Sequence, residues 1–218
     1  MKSSQGQHRP KMGGTLPTAF DTRYESVLSK ERSLAKGVAV AVLKPDPLTV
    51  WEVTMPLIFI FNYMRLKGAR EVFSRNFLFT KELALKAALD MVKGGEPREE
   101  VMSRIEETTS GILASDKKGV YSEEIRQKQM KEIDLLIDHY CRLLEGEGKD
   151  YASLVINAYR TQKDYTTFLA QLEGAEREVN LAARQTLGTE TAAEMVFKME
   201  EATDRIRTAG VEKIFRTM

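Results

Sequence analysis

From Asp150 to Ile214, apolar residues return at every third or fourth position. Tyr165, Phe168, Leu169, Leu172, Ala175, Val179 and Ala182 form one series, and Met195, Met199, Ala202, Ile206 and Ala209 a second. This spacing gathers apolar side chains on one helix face and lies close to the heptad spacing of paired helices. Gly188 in LGTET interrupts it. The pattern predicts one helix from Asp150 through Leu187 and another from Thr191 to Ile214. A short turn between two long helices makes an antiparallel, coiled-coil-like hairpin.

The same reading extends upstream. Ala, Leu, Glu, Lys, Arg and Met dominate, and only six prolines interrupt 218 residues. Strong helix formers with few breakers describe an all-α, multi-helix bundle. Thr18, with Asp21 three positions on, reads as the cap of a first helix carrying Tyr24, Val27, Leu28 and Leu34. Val38, Val40 and Val42 alternate as a strand would, yet no partner strand is visible, so they are assigned to the end of that helix. Lys44-Pro45-Asp46-Pro47 stops it.

A further helix runs from Thr80 to Gly94-Gly95, with Leu83, Leu85, Ala88, Leu89 and Val92 as buried candidates. Pro97 opens the next, with Val101, Ile105 and Ile112. Ser122 caps another, striped by Ile125, Ile133, Leu136, Ile137, Tyr140 and Leu144.

Charge divides the chain. Residues 1–86 carry fourteen Lys/Arg against seven Asp/Glu, a net +7, and residues 87–218 carry the balancing −6. Three regions follow: a polar tail over 1–17, read as disordered; a basic, apolar-rich helical region over 18–95; and an acidic helical bundle over 96–218. The tail lacks the apolar core of a signal peptide. Cys141 is the sole cysteine, so no intramolecular disulfide forms, and a reducing, cytoplasmic setting is expected.

Motifs for chemistry are sparse. EGEGKD at 145–150 has the Gly-x-Gly-Lys look of a phosphate loop, but Asp150 stands where Ser or Thr must hold magnesium, so an interhelix turn is expected. His8 falls in the tail. His139 lies off the face shared by Asp138 and Cys141, and Leu136 occupies the place a Glu-x-x-His metal motif needs filled by an acid. No metal or cofactor is assigned. Cys141 and His139, two residues apart on a helix, diverge too far for a nucleophile–base pair. Cys141 is read as a structural thiol, and His139 as partly exposed while Tyr140 packs inward. The pairs Glu106-Glu107, Glu123-Glu124 and Glu200-Glu201 read as solvated helix surface, with none in an evident cleft. Nucleic acid is disfavoured as a partner, because the chain is not basic overall and carries no reading motif.

The remaining feature is PLTVWEVTMPLIFIFNYMRLK, Pro47 to Lys67. A membrane-spanning helix needs about twenty predominantly apolar residues. This run is shorter, contains Glu52 and Asn62, is broken at Pro56, and is basic on both flanks. Spanning is therefore the poorest of three readings, behind a central core helix and an interfacial anchor. In the anchor reading Trp51, Pro56, Leu57, Ile58, Phe59, Ile60 and Phe61 meet the membrane or a partner, and Arg65, Lys67 and Arg70 meet anionic lipid. The functional expectation is a non-enzymatic interaction or scaffold protein, peripheral to the cytoplasmic membrane face through 47–75. Its C-terminal helices would serve self-association or a protein partner. The alternative is a helical-bundle enzyme or ligand-binding protein with an apolar Phe/Met-lined pocket.

Overall fold

A computed structural model describes residues 18–43, 68–117 and 119–216. Every regular element among them is helical, so the chain is an all-α bundle. Eight helices follow in order: α1 (Ala19–Val42), α2 (Ala69–Phe77), α3 (Phe79–Gly94), α4 (Arg98–Ser115), α5 (Glu123–Glu145), α6 (Tyr151–Tyr159), α7 (Gln162–Leu187) and α8 (Glu190–Phe215).

Local chemistry accounts for most of the boundaries. Thr18 and Asp21 form a reciprocal capping box at the start of α1. Val38 and Val42 are buried and Val40 is 58 % exposed, as helical spacing requires, so the valine run is helix. The Ser122 hydroxyl accepts the Ile125 amide to open α5. Residues 146–150 are the interhelix loop, and Asp150 and Ser153 cap each other at the start of α6.

Gly188, at φ 62°, closes α7 in the left-handed conformation that glycine adopts without steric cost. Thr189 then caps α8 by accepting the Ala192 amide. α7 lies chiefly along α5, and α8 chiefly along α1. Gly37 permits the α1–α8 approach: a Cβ there would lie 3.1 Å from Ile206 Cδ1.

The expected single helix over 150–187 is corrected: it is two helices. Arg160 stands at φ 60° between α6 and α7, and the Thr161 hydroxyl accepts the Asp164 amide to start a new helix. The periodicity hid the break because apolar residues fall on inward faces both before it, at Leu154, Val155 and Tyr159, and after it, at Tyr165 and Phe168.

The principal core draws on seven helices. It joins Val27 and Leu28 of α1, Leu85 and Ala88 of α3, Ile105 of α4, Ile133 to Leu144 of α5, Leu154 of α6, Phe168 and Leu172 of α7, and Ile214 of α8. A second cluster binds the far half of α1 to α2 and α8 through Leu34, Val38, Val42, Phe73, Met195 and Met199. Tyr121 and Ile125 pack on Ala182 and Ala183 in a third. Helices α1 and α3 from residues 18–95 and α4 to α8 from residues 96–218 thus share the principal core. No helix among the described residues is long and apolar enough to cross a membrane.

Candidate functional site

Five helices each place one charged residue within their own apolar stripe. On α1, Glu31 falls between Val27 and Leu34/Ala35. On α5, Glu132 follows Ile125 and Gln129 and precedes Leu136. On α7, Glu176 is four residues beyond Leu172. On α8, Arg207 sits between Thr203 and Val211. On α3, Lys81 leads the face of Ala84, Leu85 and Ala88. Helical spacing turns all five inward with their apolar neighbours. Glu31, Lys81 and Glu132 are buried, and the side chains of Glu176 and Arg207 retain 16 % and 12 % exposure.

Four of the five form a connected network. Arg207 donates from both Nη atoms to Glu176, at 2.6 and 2.8 Å, the two-pronged geometry that guanidinium and carboxylate share. Lys81 Nζ lies 3.0 Å from Glu176 and 3.5 Å from Glu132, and 4.6 Å from the centre of the Phe77 ring. The Thr80 hydroxyl donates to Glu132 Oε1 at 2.8 Å. Burial opposes ionisation of Glu176, but Arg207 and Lys81 overcome it and hold the carboxyl down to about 2. For Glu132 burial wins over Lys81, and its pKa is raised.

This network floors a cavity of about 350 Å³. α7 and α8 form its sides, the α2–α3 junction and α5 its base. Phe77, Leu169, Val179, Met199 and Val211 supply apolar wall, while Gln129, Asn180 and Thr203 add neutral polar groups. Glu200 lines it and accepts from Asn180 Nδ2 at 2.9 Å, so one member of an acidic pair expected on open surface belongs to a cleft. The volume lies within the range of small-molecule sites, and convergent polar groups on an apolar lining are their usual composition.

No protein-family model matches this sequence, and comparison with curated proteins and with solved structures returns no similar chain. The functional reading therefore rests on the geometry of this pocket and its surroundings.

A second buried polar group adjoins the network. His139, expected to be partly exposed, is 3 % exposed. Its ring stacks on Phe168 with centroids 4.2 Å apart, and Nδ1 lies 2.6 Å from the Tyr159 hydroxyl. The correction has a local cause. α5 buries a face broad enough to include 136, 137, 139, 140, 143 and 144, and aromatic side chains from α6 and α7 close over it. Burial, aided by Arg207 and Arg142, pushes the imidazole down to about 3, so it is neutral at pH 7. The Tyr151 and Tyr165 hydroxyls meet at 3.0 Å nearby. Cys141 is half-buried, as a structural thiol should be, and burial pushes it up to about 11, which withholds the reactive thiolate. Among the described residues no group of three His, Cys, Asp or Glu side chains could hold a metal ion.

Glu31 links the two polar regions. It lines a smaller void of about 40 Å³ together with His139, Tyr151 and Arg207, so Arg207 borders both spaces. Glu31 Oε2 and the Tyr140 hydroxyl are buried without a hydrogen-bond partner among the described residues. Burial raises the Glu31 carboxyl, against the pull of Lys81 and Arg207. A raised folded pKa means that this group's stabilising contribution is present at acid pH and is lost as pH rises through the folded value. Glu31→Gln should therefore raise the thermal midpoint at pH 8 by roughly 2–6 °C, the size of one unsatisfied buried group in a chain this long. Calorimetry from pH 4.5 to 8.5 should show the gain growing with pH; a constant gain would remove the carboxylate as its cause.

Of the residues predicted from sequence to meet a membrane or partner, Trp51, Pro56, Leu57, Ile58, Phe59, Ile60, Phe61, Arg65 and Lys67 lie outside the described residues. Arg70 is in α2, where Nε and Nη2 donate to the Leu43 carbonyl at 3.2 and 2.9 Å. It thereby ties the end of α1 to the start of α2. The sequence reading singled out none of Lys81, Glu132, Glu176 and Arg207, and of the pocket acids it placed only Glu200, on open helix surface. The available signal was register: each occupies a position that its apolar neighbours mark as inward.

Proposed function

We propose that this chain is a small-molecule-binding helical protein whose ligand enters the cleft between α7 and α8. The observation that carries the reading is the cavity of about 350 Å³ floored by Lys81, Glu132, Glu176 and Arg207. Charges in an interior are costly, and replacing a buried ion pair with apolar residues is often neutral or stabilising. Their position beneath an open cavity is a reason for keeping them: a low-dielectric wall strengthens their interaction with a bound polar group. The lining is more polar than the Phe/Met pocket of the alternative sequence reading, with Phe77 and Met199 supplying only part of it.

The test is amide chemical-shift mapping of the intact chain against a set of small fragments. Shifts should concentrate at residues 76–81, 129–132, 166–180 and 199–211. Fragments that shift no amide in those four stretches would overturn the reading.

A second reading rests on Arg70. The described residues stop at Leu43 and resume at Gly68, and Arg70 at the start of α2 hydrogen-bonds the Leu43 carbonyl, so these two points lie close together. The apolar and basic stretch between them thus starts and ends at one place on a rigid base. That suits an anchor for an anionic membrane, in keeping with its aromatic and basic composition. The chain should sediment with phosphatidylserine vesicles at low salt, less at high salt, and less after Phe59→Ser and Phe61→Ser with the fold intact. Absence of sedimentation at low salt would overturn it.

A further inference from the structure

Resting on the pocket reading, we infer that the ligand of the α7–α8 cleft is an organic cation: a protonated amine carrying an apolar body.

The cationic side chains of the lining are already engaged. Arg207 spends both Nη atoms on Glu176, Lys81 sits between Glu176 and Glu132, and Arg177 Nη2 lies 2.6 Å from Glu173. A bound carboxylate or phosphate would have to break one of these pairs before gaining a partner of its own. Breaking a buried pair strands the remaining charge, which makes that exchange unfavourable.

The anionic side is in excess. Six carboxylates, Glu132, Glu173, Glu176, Glu200, Asp204 and Glu212, line the space with three cationic side chains, and with Glu212 paired to Arg216 five acids still face three cations. Glu132 is the decisive one. It is 4 % exposed, and only its Oε1 has partners, the Thr80 hydroxyl and the Lys81 ammonium. Glu132 lines the cavity, and its Oε2 accepts no hydrogen bond among the described residues. A ligand N–H that reaches this oxygen would add a charge-assisted hydrogen bond.

Glu200 is half-buried and meets only the neutral amide of Asn180, and Asp204 is exposed and forms no ion pair among the described residues. An acid-lined cleft with low-dielectric walls concentrates cations. An ammonium has three donors and no acceptor, so it matches a lining with spare carboxylate oxygens. Leu169, Val179, Met199 and Val211 then offer apolar contact to the rest of the molecule. The raised pKa of Glu132 agrees: a cation arriving beside it would restore the ionised carboxylate that burial disfavours.

Three probes of one chain length separate the possibilities: 1-aminohexane, 1-hexanol and hexanoate, titrated calorimetrically into the intact chain at pH 7. The amine should bind at least roughly tenfold more tightly than the alcohol, the strength of one charge-assisted hydrogen bond, with hexanoate weakest. Glu132→Gln, once its thermal midpoint shows that the bundle is folded, should abolish the advantage of the amine over the alcohol when both are titrated into the variant. Asp204→Asn, at an exposed position whose replacement does not endanger folding, should reduce the amine preference in the same direction. If hexanol and aminohexane bind alike, or hexanoate binds best, the cation inference fails while the pocket reading stands. If none of the three binds, both fail.

Discussion

Glu176→Gln is expected to lower the thermal midpoint by roughly 6–20 °C, the equivalent of about 3–5 kcal/mol in a chain of this size. The argument is one of stranded charge. Glu176 is the shared anion of Arg207 and Lys81, and no other carboxylate among the described residues contacts both. Glutamine keeps the shape but removes the charge, leaving a guanidinium with 12 % exposure and an ammonium with 4 % facing too little negative charge. Surface pairs elsewhere set the contrast. Arg216–Glu212 and Lys198–Glu194 are well exposed, and losing either should cost no more than about 1 kcal/mol. Replacing the set together, as Lys81→Met, Glu132→Gln, Glu176→Leu and Arg207→Met, should recover most of the loss, because none of the four network charges is left without its partner. Scanning calorimetry checks both results. A Glu176→Gln loss no larger than that of the surface pairs would mean that solvent screens the network.

The second large effect is acid destabilisation through His139. Its folded pKa is held near 3, whereas an exposed histidine titrates near 6.5. The lowered value means that the contribution of His139 is fully present above the unfolded pKa and declines as pH falls from about 6.5 toward 3. At about 1.4 kcal/mol per unit, it amounts to on the order of 4 kcal/mol at the acid end of that window. Other groups titrate in the same range. Glu31 and Glu132, whose values are raised, gain stability as pH falls, while Glu176, held near 2, loses it only below the usual glutamate range. The difference between wild type and His139→Phe isolates the imidazole. Urea unfolding should show the stability advantage of wild type shrinking by about 2–3 kcal/mol between pH 6.5 and 4.5. The substitution also leaves the Tyr159 hydroxyl without its partner, which adds a pH-independent cost of about 1–3 kcal/mol. Parallel curves for the two proteins would show that His139 reaches water in the native state.

Helices were legible where a cap and an apolar stripe agreed. Thr18 with Asp21, Ser122, and the glycines at 94–95 and 188 mark ends that the structure places within about a residue or two of expectation, the usual ambiguity of helix termini. The break at 160–161 was missed although Thr161 and Asp164 carry a cap signature, because inward apolar positions continue across it. α2 was missed as well: it is nine residues long with Phe73 its one buried residue, too short for a periodic signal. His139 was misjudged because its neighbour Tyr140 was read as the inward residue, and only the ring stack with Phe168 reveals how wide the buried face is.

The sequence by itself determined the fold class, most helix boundaries and most of the core, because capping bonds and 3.6-residue periodicity act within a few neighbouring residues. It also holds a trace of the site, in charges that fall in register with apolar stripes. Only the tertiary structure decided that Lys81, Glu132, Glu176 and Arg207 meet, that Glu31 and His139 lie behind them, and that a cavity opens above. Those groups come from α1, α3, α5, α7 and α8. Their meeting depends on how whole helices cross, which no local pattern along one helix records.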